Sequence, residues 1–228
     1  MKLKNQTMKL SDKTLSLLKN FSGINQSILF KQGNKLRTIS VMKNILAEAE
    51  ITEEFPKDFG IYDLNQFLNV FNLHKNAELD FQNDSYVVIR ENATRSNYFF
   101  ADPNVIITPP DKELVLPSED VCFDLNTQQL DKLLKASAIY QLPDLSVIGE
   151  AGVVKIVVRD KKNNTSNDYQ VIVGETELKF CFNFKVENIK IISGTYKVVI
   201  SSKLLSRFDS ENYNLTYYIA LEPDSTFE

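Results

Sequence analysis

The chain has 228 residues, of which 43% are hydrophobic and 25% charged, with only 7 Gly and 7 Pro and a net charge of −4. This composition excludes a disordered or low-complexity chain and suits one large domain or two of about 100–115 residues. A single histidine, His74, two cysteines without metal spacing and the lack of a phosphate-cradling glycine motif exclude Ser-His-Asp, Cys-His, multi-histidine metal and P-loop chemistry.

In chain order, residues 1–7 are expected to be a flexible tail, because Met8-Lys9-Leu10 restates Met1-Lys2-Leu3 and the regular pattern starts at Met8. No apolar run approaches the roughly 18 residues of a membrane span, and no apolar stretch follows the first lysines. A soluble, unexported protein that does not engage a membrane is expected. Residues 11–24 sort as a helix: Leu15, Leu17, Leu18, Phe21 and Ile24 share one half of the wheel, and Lys9, Lys13, Ser16, Lys19 and Asn20 share the other. Glu53-Glu54, beside Pro56, reads as a solvated turn rather than a catalytic carboxylate pair.

A second helix is expected over 63–75, with Leu64, Phe67, Leu68 and Phe71 toward a core and Asn65, Gln66, Asn69 and Asn72 facing away. Residues 86–89 follow as a strand. Pro103, Pro109, Pro110 and Pro117 then fall within residues 102–120, where no helical period exists. Proline fixes φ and removes a ladder donor, so this stretch reads as an extended connector. The expected organisation is a domain over 8–101, a connector over 102–119 and a second domain over 120–228.

The third helix, 126–140, buries Leu130, Leu133 and Leu134 and presents Gln128, Lys132 and Lys135, with Asn126 and Gln129 placed for a capping-box variant. Residues 153–158 read as a strand. A short fourth helix is expected over 184–192, with Lys185, Asn188 and Lys190 as its polar residues, before a strand at 196–200. Cys122 and Cys181 are expected to be two buried, reduced thiols rather than a disulfide.

One phrase recurs. Ile61-Tyr62-Asp63-Leu64, Cys122-Phe123-Asp124-Leu125 and Cys181-Phe182-Asn183-Phe184 each precede a helical segment, and a fourth segment without the aromatic begins at Leu10-Ser11. The four starts are separated by roughly 52, 61 and 59 residues. Aromatic residues before an Asx cap are common, but three copies at similar spacing indicate a duplicated helix-plus-strands unit. The four helical segments carry +2, 0, +1 and +1, which leaves −8 for the remainder of the chain. Lysine and amide side chains on the polar helix faces would make a basic surface on an acidic body, suited to phosphates rather than base edges.

Several stretches then resemble a known family. They are Met8-Lys9-Leu10-Ser11-Asp12-Lys13-Thr14 with Leu17-Leu18-Lys19-Asn20-Phe21, Ile61-Tyr62-Asp63-Leu64-Asn65 with Phe67-Leu68, and Phe182-Asn183-Phe184 with Gly194-Thr195-Tyr196-Lys197. The last is Tyr218-Ile219-Ala220-Leu221-Glu222-Pro223-Asp224-Ser225-Thr226. In the same order they resemble the sliding clamps of T-even-type phages, and Tyr217-Tyr218-Ile219-Ala220 also resembles the end of eukaryotic and archaeal clamps. The resemblance implies an α+β, two-domain DNA-clamp fold, each domain holding two helix-plus-antiparallel-strand units. It further implies a homotrimeric, head-to-tail ring of pseudo-sixfold symmetry, with helices lining a hole for double-stranded DNA.

The residues facing DNA would be Lys9, Lys13, Lys19, Asn20, Asn69, Asn72, Lys75, Lys132, Lys135, Lys185 and Lys190. The family implies no catalysis, cofactor or metal. A clamp-loader ATPase opens the ring, and a DNA polymerase docks an apolar tail in a pocket. Here that pocket would involve Val105, Ile106, Leu114, Leu116, Tyr218, Ala220, Pro223 and Phe227. The family also implies support of late transcription through co-activators, in the cytoplasm of the infected bacterial host. Two rival readings are weaker. A non-ring DNA-binding accessory protein would need aromatics among exposed cations, and a structural virion protein would leave the cationic helix faces unexplained.

Overall fold

The first element is a two-residue strand, β1 (Thr7–Met8), and the structure, a computed structural model, describes residues 7–228. The expected tail, residues 1–7, lies outside the described residues except for Thr7, which pairs with Asp80. The chain divides into two units between Asp111 and Lys112.

The first unit continues with α1 (Asp12–Ile24), β2 (Ile28–Phe30), β3 (Gly33–Ile39), β4 (Ile45–Phe55), β5 (Phe59–Ile61), α2 (Leu64–Phe71), β6 (Glu78–Asp80), β7 (Tyr86–Glu91) and β8 (Thr94–Phe99). A 3-10 turn, Pro103–Val105, ends it. The second unit holds β9 (Val121–Leu125), α3 (Thr127–Tyr140), β10 (Asp144–Glu150), β11 (Val153–Arg159), β12 (Tyr169–Glu175) and β13 (Phe180–Lys185). A 3-10 turn (Val186–Asn188), β14 (Tyr196–Ser201), β15 (Leu205–Ser210), β16 (Leu215–Ala220) and β17 (Thr226–Phe227) complete it. The fold is α+β, with all described strand pairs antiparallel.

Both units follow one plan of exchanged strands. In the first unit β1 leaves the strands after α1 and pairs in the order β1-β6-β7-β8, while β5 pairs back with β2. In the second unit β9 pairs with β14, beside β15 and β16, while β13 pairs back with β10 in the order β12-β11-β10-β13-β17. Each unit is therefore two repeats that have swapped their first strands, so neither repeat can close its sheet alone. A helix follows the first strand in all but the last repeat, where the turn Val186–Asn188 stands in its place.

The cores follow from alternation and periodicity. In the first unit Phe30 and Phe59 stack at 4.5 Å, with Phe55, Phe81 and Phe100 around them. Leu17, Leu18 and Phe21 of α1 and Leu64, Phe67 and Phe71 of α2 are buried, as their spacing dictates. In the second unit Leu130 and Leu133 of α3 are buried with Phe182, Phe184, Val198 and Ile219.

Four local expectations are corrected. No fourth helix forms over 184–192: Lys185 ends β13, and only the turn Val186–Asn188 follows. Val186, Ile189, Ile191 and Ile192 are β-branched and stiff in a helix, and Ser193-Gly194 disfavours continuing one. The backbone here is satisfied from elsewhere. The Ile192 N–H donates to the Tyr217 hydroxyl at 3.2 Å, and the Tyr196 hydroxyl donates to the Ile192 carbonyl at 2.5 Å. Burial pushes both tyrosines' pKa values far up, so both hydroxyls stay protonated.

The second helix stops at Phe71, short of the expected 75. The Lys75 and Asn76 N–H groups donate to the Glu91 carboxylate, both at 2.9 Å, which draws the chain off the helix axis. Glu53 is not in a turn, because β4 runs through it to Phe55. Its carboxylate accepts from the Ser11 N–H and, at 2.8 Å, from the Thr14 hydroxyl, so it joins Ser11 in capping α1. Both cysteines are free, but neither is buried: Cys181 is half-buried, and Cys122 is exposed since Val121, Phe123 and Leu125 take the inward positions of β9.

Candidate nucleic-acid interface and connector

The apolar stripe of each helix faces its own unit, so the remaining face is presented outward. On α1 this leaves Lys13, Ser16 and Lys19 exposed, Asn20 half-buried, and Lys9 exposed just ahead of the helix. A cleft of about 370 Å³ runs between α1 and α2, lined by Asp12, Ser16, Lys19, Asn65, Asn69 and Asn72, with Leu15 and Leu68 in its floor. It brings Lys19 together with Asn69 and Asn72. The Ser22 hydroxyl donates to the Asn65 side chain at 2.8 Å and ties the two helices together.

On α3 the exposed stripe is Gln128, Lys132 and Lys135, spaced at i, i+4 and i+7. The capping box of Asn126 and Gln129 forms as expected. The acids of the helices are largely engaged. Asp131 accepts from the Ser193 hydroxyl at 2.8 Å, and Asp63 caps α2 by accepting from the Gln66 N–H at 2.9 Å. The helix faces are thus cationic or neutral where their carboxylates are turned to backbone and hydroxyl donors.

Three candidates separate from this set. Lys185 lies on β13, where its ammonium is 2.6 Å from the carboxylate of Asp144, a group that is almost fully buried. The hydrogen bond that Lys185 donates to Asp144 raises the lysine's pKa above the ordinary range, against the opposing effect of burial. Lys75 is exposed, but it follows the end of α2. Lys190 is exposed in the irregular segment after Val186–Asn188.

The first half of the connector is bound to the first unit. The Ala101 N–H donates to the Gly60 carbonyl at 2.9 Å, the Asn25 side chain donates to the Ile107 carbonyl at 3.3 Å, and Arg37 donates to the Pro110 carbonyl at 2.9 Å. Ile106 is buried and Val105 exposed. Of the second half, Leu116 is buried and Leu114 half-buried, and Glu119 meets Arg207 at 3.3 Å. Arg207 stands directly across from Tyr218 in the ladder.

The tail residues do not stay together. Tyr218 and Ala220 lie on β16, whereas Phe227 lies on β17 in the other sheet of the same unit, and Pro223 is exposed between them. A single pocket built from all of residues 217–227 is therefore not what the second unit presents. Ile106 and Leu116 are packing residues, because almost no surface of either reaches solvent.

Sequence reasoning missed three features. Ile139 continues the Gln128–Lys132–Lys135 stripe by four residues and is exposed beside Tyr140, a spacing that was readable. Val41 and Met42 are exposed at the β3–β4 turn. Asn25 donates to both the Ile39 and Ile107 carbonyls, so the end of β3 lies beside the connector. The sheet edges β8 and β12 carry exposed Phe99 (66%) and Ile172 (60%). Strand order is non-local, so no sequence signal marks these two as edges.

Comparison with known proteins adds to this geometry. Residues 9–108 match the family described as DNA polymerase processivity factor, and residues 122–223 match gp45 sliding clamp, C terminal. The sliding clamp of Vibrio phage KVP40 is 36% identical over 222 residues, covering 94% of this chain and 99% of that one. The sliding clamp of Escherichia phage RB69 is 32% identical over 237 residues, covering 97% and 100%. Among solved structures, the A. fulgidus PCNA bound to the C-terminal region of FEN-1 superposes with a TM-score of 0.69 at 14% identity. That match covers 96% of this chain and 98% of that chain, and it bears on fold alone.

Proposed function

The chain belongs to the sliding-clamp family of DNA polymerase processivity factors, and from that premise we propose that it holds a phage polymerase on its template as a closed homotrimer around duplex DNA. The observation that supports this most is the set of helix faces. Lys13, Lys19, Lys132 and Lys135 stand opposite buried stripes, while Asp63 and Asp131 are occupied by backbone and hydroxyl donors. Such a surface attracts phosphates without reading bases and so permits sliding. Leaving the DNA then requires opening the ring rather than breaking strong contacts.

On this reading, ring closure uses the edges β8 and β12. β8 belongs to the first unit and β12 to the second, so pairing one with the other on a second copy is heterologous and propagates until it closes. Joining them would cover Phe99 and Ile172 and remove both edges from solvent. On this reading the clamp itself performs no catalysis, a loader ATPase opens the ring, and the protein works in the cytoplasm of the infected host. Polymerase and late-transcription co-activators dock near the connector, where Val105, Ile107, Val41 and Met42 offer exposed apolar surface. Light scattering tests the assembly: a mass of about three times 26.1 kDa is expected, and Ile172→Asp should reduce it to one copy. Retention on primed circular DNA with loss from linear ends tests the ring. Equal loss from both sinks it and leaves an open DNA-binding accessory protein.

A further inference from the structure

The end of the chain is strapped back onto the second unit. The Glu222 N–H donates to the Asn183 carbonyl at 2.8 Å, and the Asn183 N–H donates to the Ser225 hydroxyl at 2.9 Å. β17 then pairs with β13 through Thr226↔Cys181 and Phe227↔Phe180, and the Glu228 N–H donates to the Lys179 carbonyl at 3.0 Å. The Phe227 ring stacks over Phe182 and Phe180 at 6.0 and 6.4 Å. Two ion pairs hold the strap, Lys161–Asp224 at 2.8 Å and Lys179–Glu228 at 3.3 Å.

The first unit ends in the same way. The Ala101 N–H donates to the Gly60 carbonyl, and five residues later Ile106 is packed onto Gly60. Five residues also separate Glu222 from Phe227. There the resemblance stops: Ile106 is 7% exposed, whereas Phe227 is 38% exposed. A two-residue, exposed edge strand flanked by exposed Asp224 and Glu228 opens without unfolding the sheet beneath it. Opening would expose the β13 edge and the faces of Phe180 and Phe182. It would also free Lys161 and Lys179 from their carboxylates. A cleft of about 340 Å³ adjoins this edge, with Thr226 and Glu228 in its wall and Lys155 and Arg159 in its lining.

We propose that the β13 edge is a strand-addition site for an extended, acidic, aromatic-bearing segment of a partner protein, and that residues 224–228 are its resident occupant, displaced on docking. The tail shows the chemistry that the site takes: backbone pairing to Phe180 and Cys181, an aromatic ring over Phe182, and carboxylates toward Lys161 and Lys179. The site is separate from the connector surface and does not depend on the ring.

A fluorescent heptapeptide copying residues 222–228 is the probe, and its anisotropy is read on full-length protein. Phe227→Ala, which loosens the strap, is expected to bind the probe at least about tenfold more tightly than wild type, because the site is then open for a larger fraction of the time. Adding Lys161→Glu and Lys179→Glu is expected to remove that gain, as is replacing the probe's phenylalanine by alanine. Equal binding to both proteins, binding to neither, or indifference to the probe's phenylalanine overturns the proposal. Loosened chains that exchange tails and gain mass instead of taking up the probe assign the edge to a second copy, which also overturns it. Hydrogen exchange on the wild type decides the matter should Phe227→Ala fail to fold. The Asn183 and Glu228 amides are expected to exchange through a local opening, and exchange only through global unfolding rejects the strap.

Discussion

The Lys185 ammonium lies 2.6 Å from the Asp144 carboxylate across the β10–β13 ladder, and the same carboxylate accepts the Lys161 N–H at 3.1 Å. A lysine that reads as part of a cationic face is thereby committed to neutralising a buried acid. Lys185→Met is expected to destabilise the protein by about 1–3 kcal/mol, since it leaves Asp144 buried without its cation. Lys132→Met should cost under about 0.5 kcal/mol, as an exposed helix position. Urea midpoints compare the two, and equal midpoints would return Lys185 to the DNA-facing set.

Charge reversal at Lys13, Lys19, Lys132 and Lys135 is expected to lower DNA loading and processive synthesis while leaving the oligomer mass unchanged. All four are exposed and lie opposite the buried stripes of α1 and α3. The loss should shrink as salt rises, because the contacts are to phosphates. Wild-type processivity of the fourfold variant on primed circular DNA in physiological salt would falsify the role of these faces.

Glu53 provides the pH-dependent prediction. Burial pushes its pKa up, but hydrogen bonds from the Ser11 N–H and from the Thr14, Ser11 and Thr52 hydroxyls outweigh this and hold it below the ordinary glutamate range. A depressed carboxylate contributes stability above its unfolded pKa of about 4.3 and loses it as pH falls through the lower folded value. Glu53→Gln should therefore cost about 1 kcal/mol at pH 7 and progressively less below pH ~4. A difference between the two proteins that is constant from pH 7 to pH 3 would show that Glu53 does not act through its charge.

Gly60 is needed for the close approach of the connector. A Cβ there would stand 2.6 Å from Ile106 Cδ1 and 2.8 Å from the Ala101 carbonyl oxygen. Gly60→Ala is expected to destabilise by about 1–3 kcal/mol and to raise protease cleavage within residues 101–110, since the backbone oxygen cannot yield as a side chain could. Unchanged cleavage with unchanged stability would mean that the connector start is loosely held.

Cys122 and Cys181 sit on β9 and β13, in different sheets of the second unit, and both are free. Maleimide labelling of native protein should modify exposed Cys122 before half-buried Cys181. A Cys122–Cys181 cross-link in the native mass spectrum would contradict this arrangement.

What the sequence determined by itself was local. The 3.6-residue spacing of Leu17, Leu18 and Phe21 and of Phe67, Leu68 and Phe71 specifies which helix faces are buried. Ser11, Asp63 and Asn126 specify where the helices begin. The lysine and amide faces follow directly, because a helix wheel needs no information from outside the helix. The same local logic failed at residues 184–192. Polar residues at plausible spacing suggested a helix there, but Tyr196 and Tyr217 satisfy the backbone instead.

Everything that depends on partners distant in the chain was decided by tertiary structure. The exchange of β1 and β9 between repeats, the edges at β8 and β12, the Lys185–Asp144 pair and the seating of Phe227 on Phe180 and Phe182 are of this kind. Strand order and ion pairing are chosen by which surfaces meet once the sheets form. Two strands with the same alternation can therefore end as a ladder centre or as an open edge. Two lysines that read alike as polar-face cations can end as the counter-ion of a buried acid, as Lys185 does, or as a solvated charge, as Lys132 does.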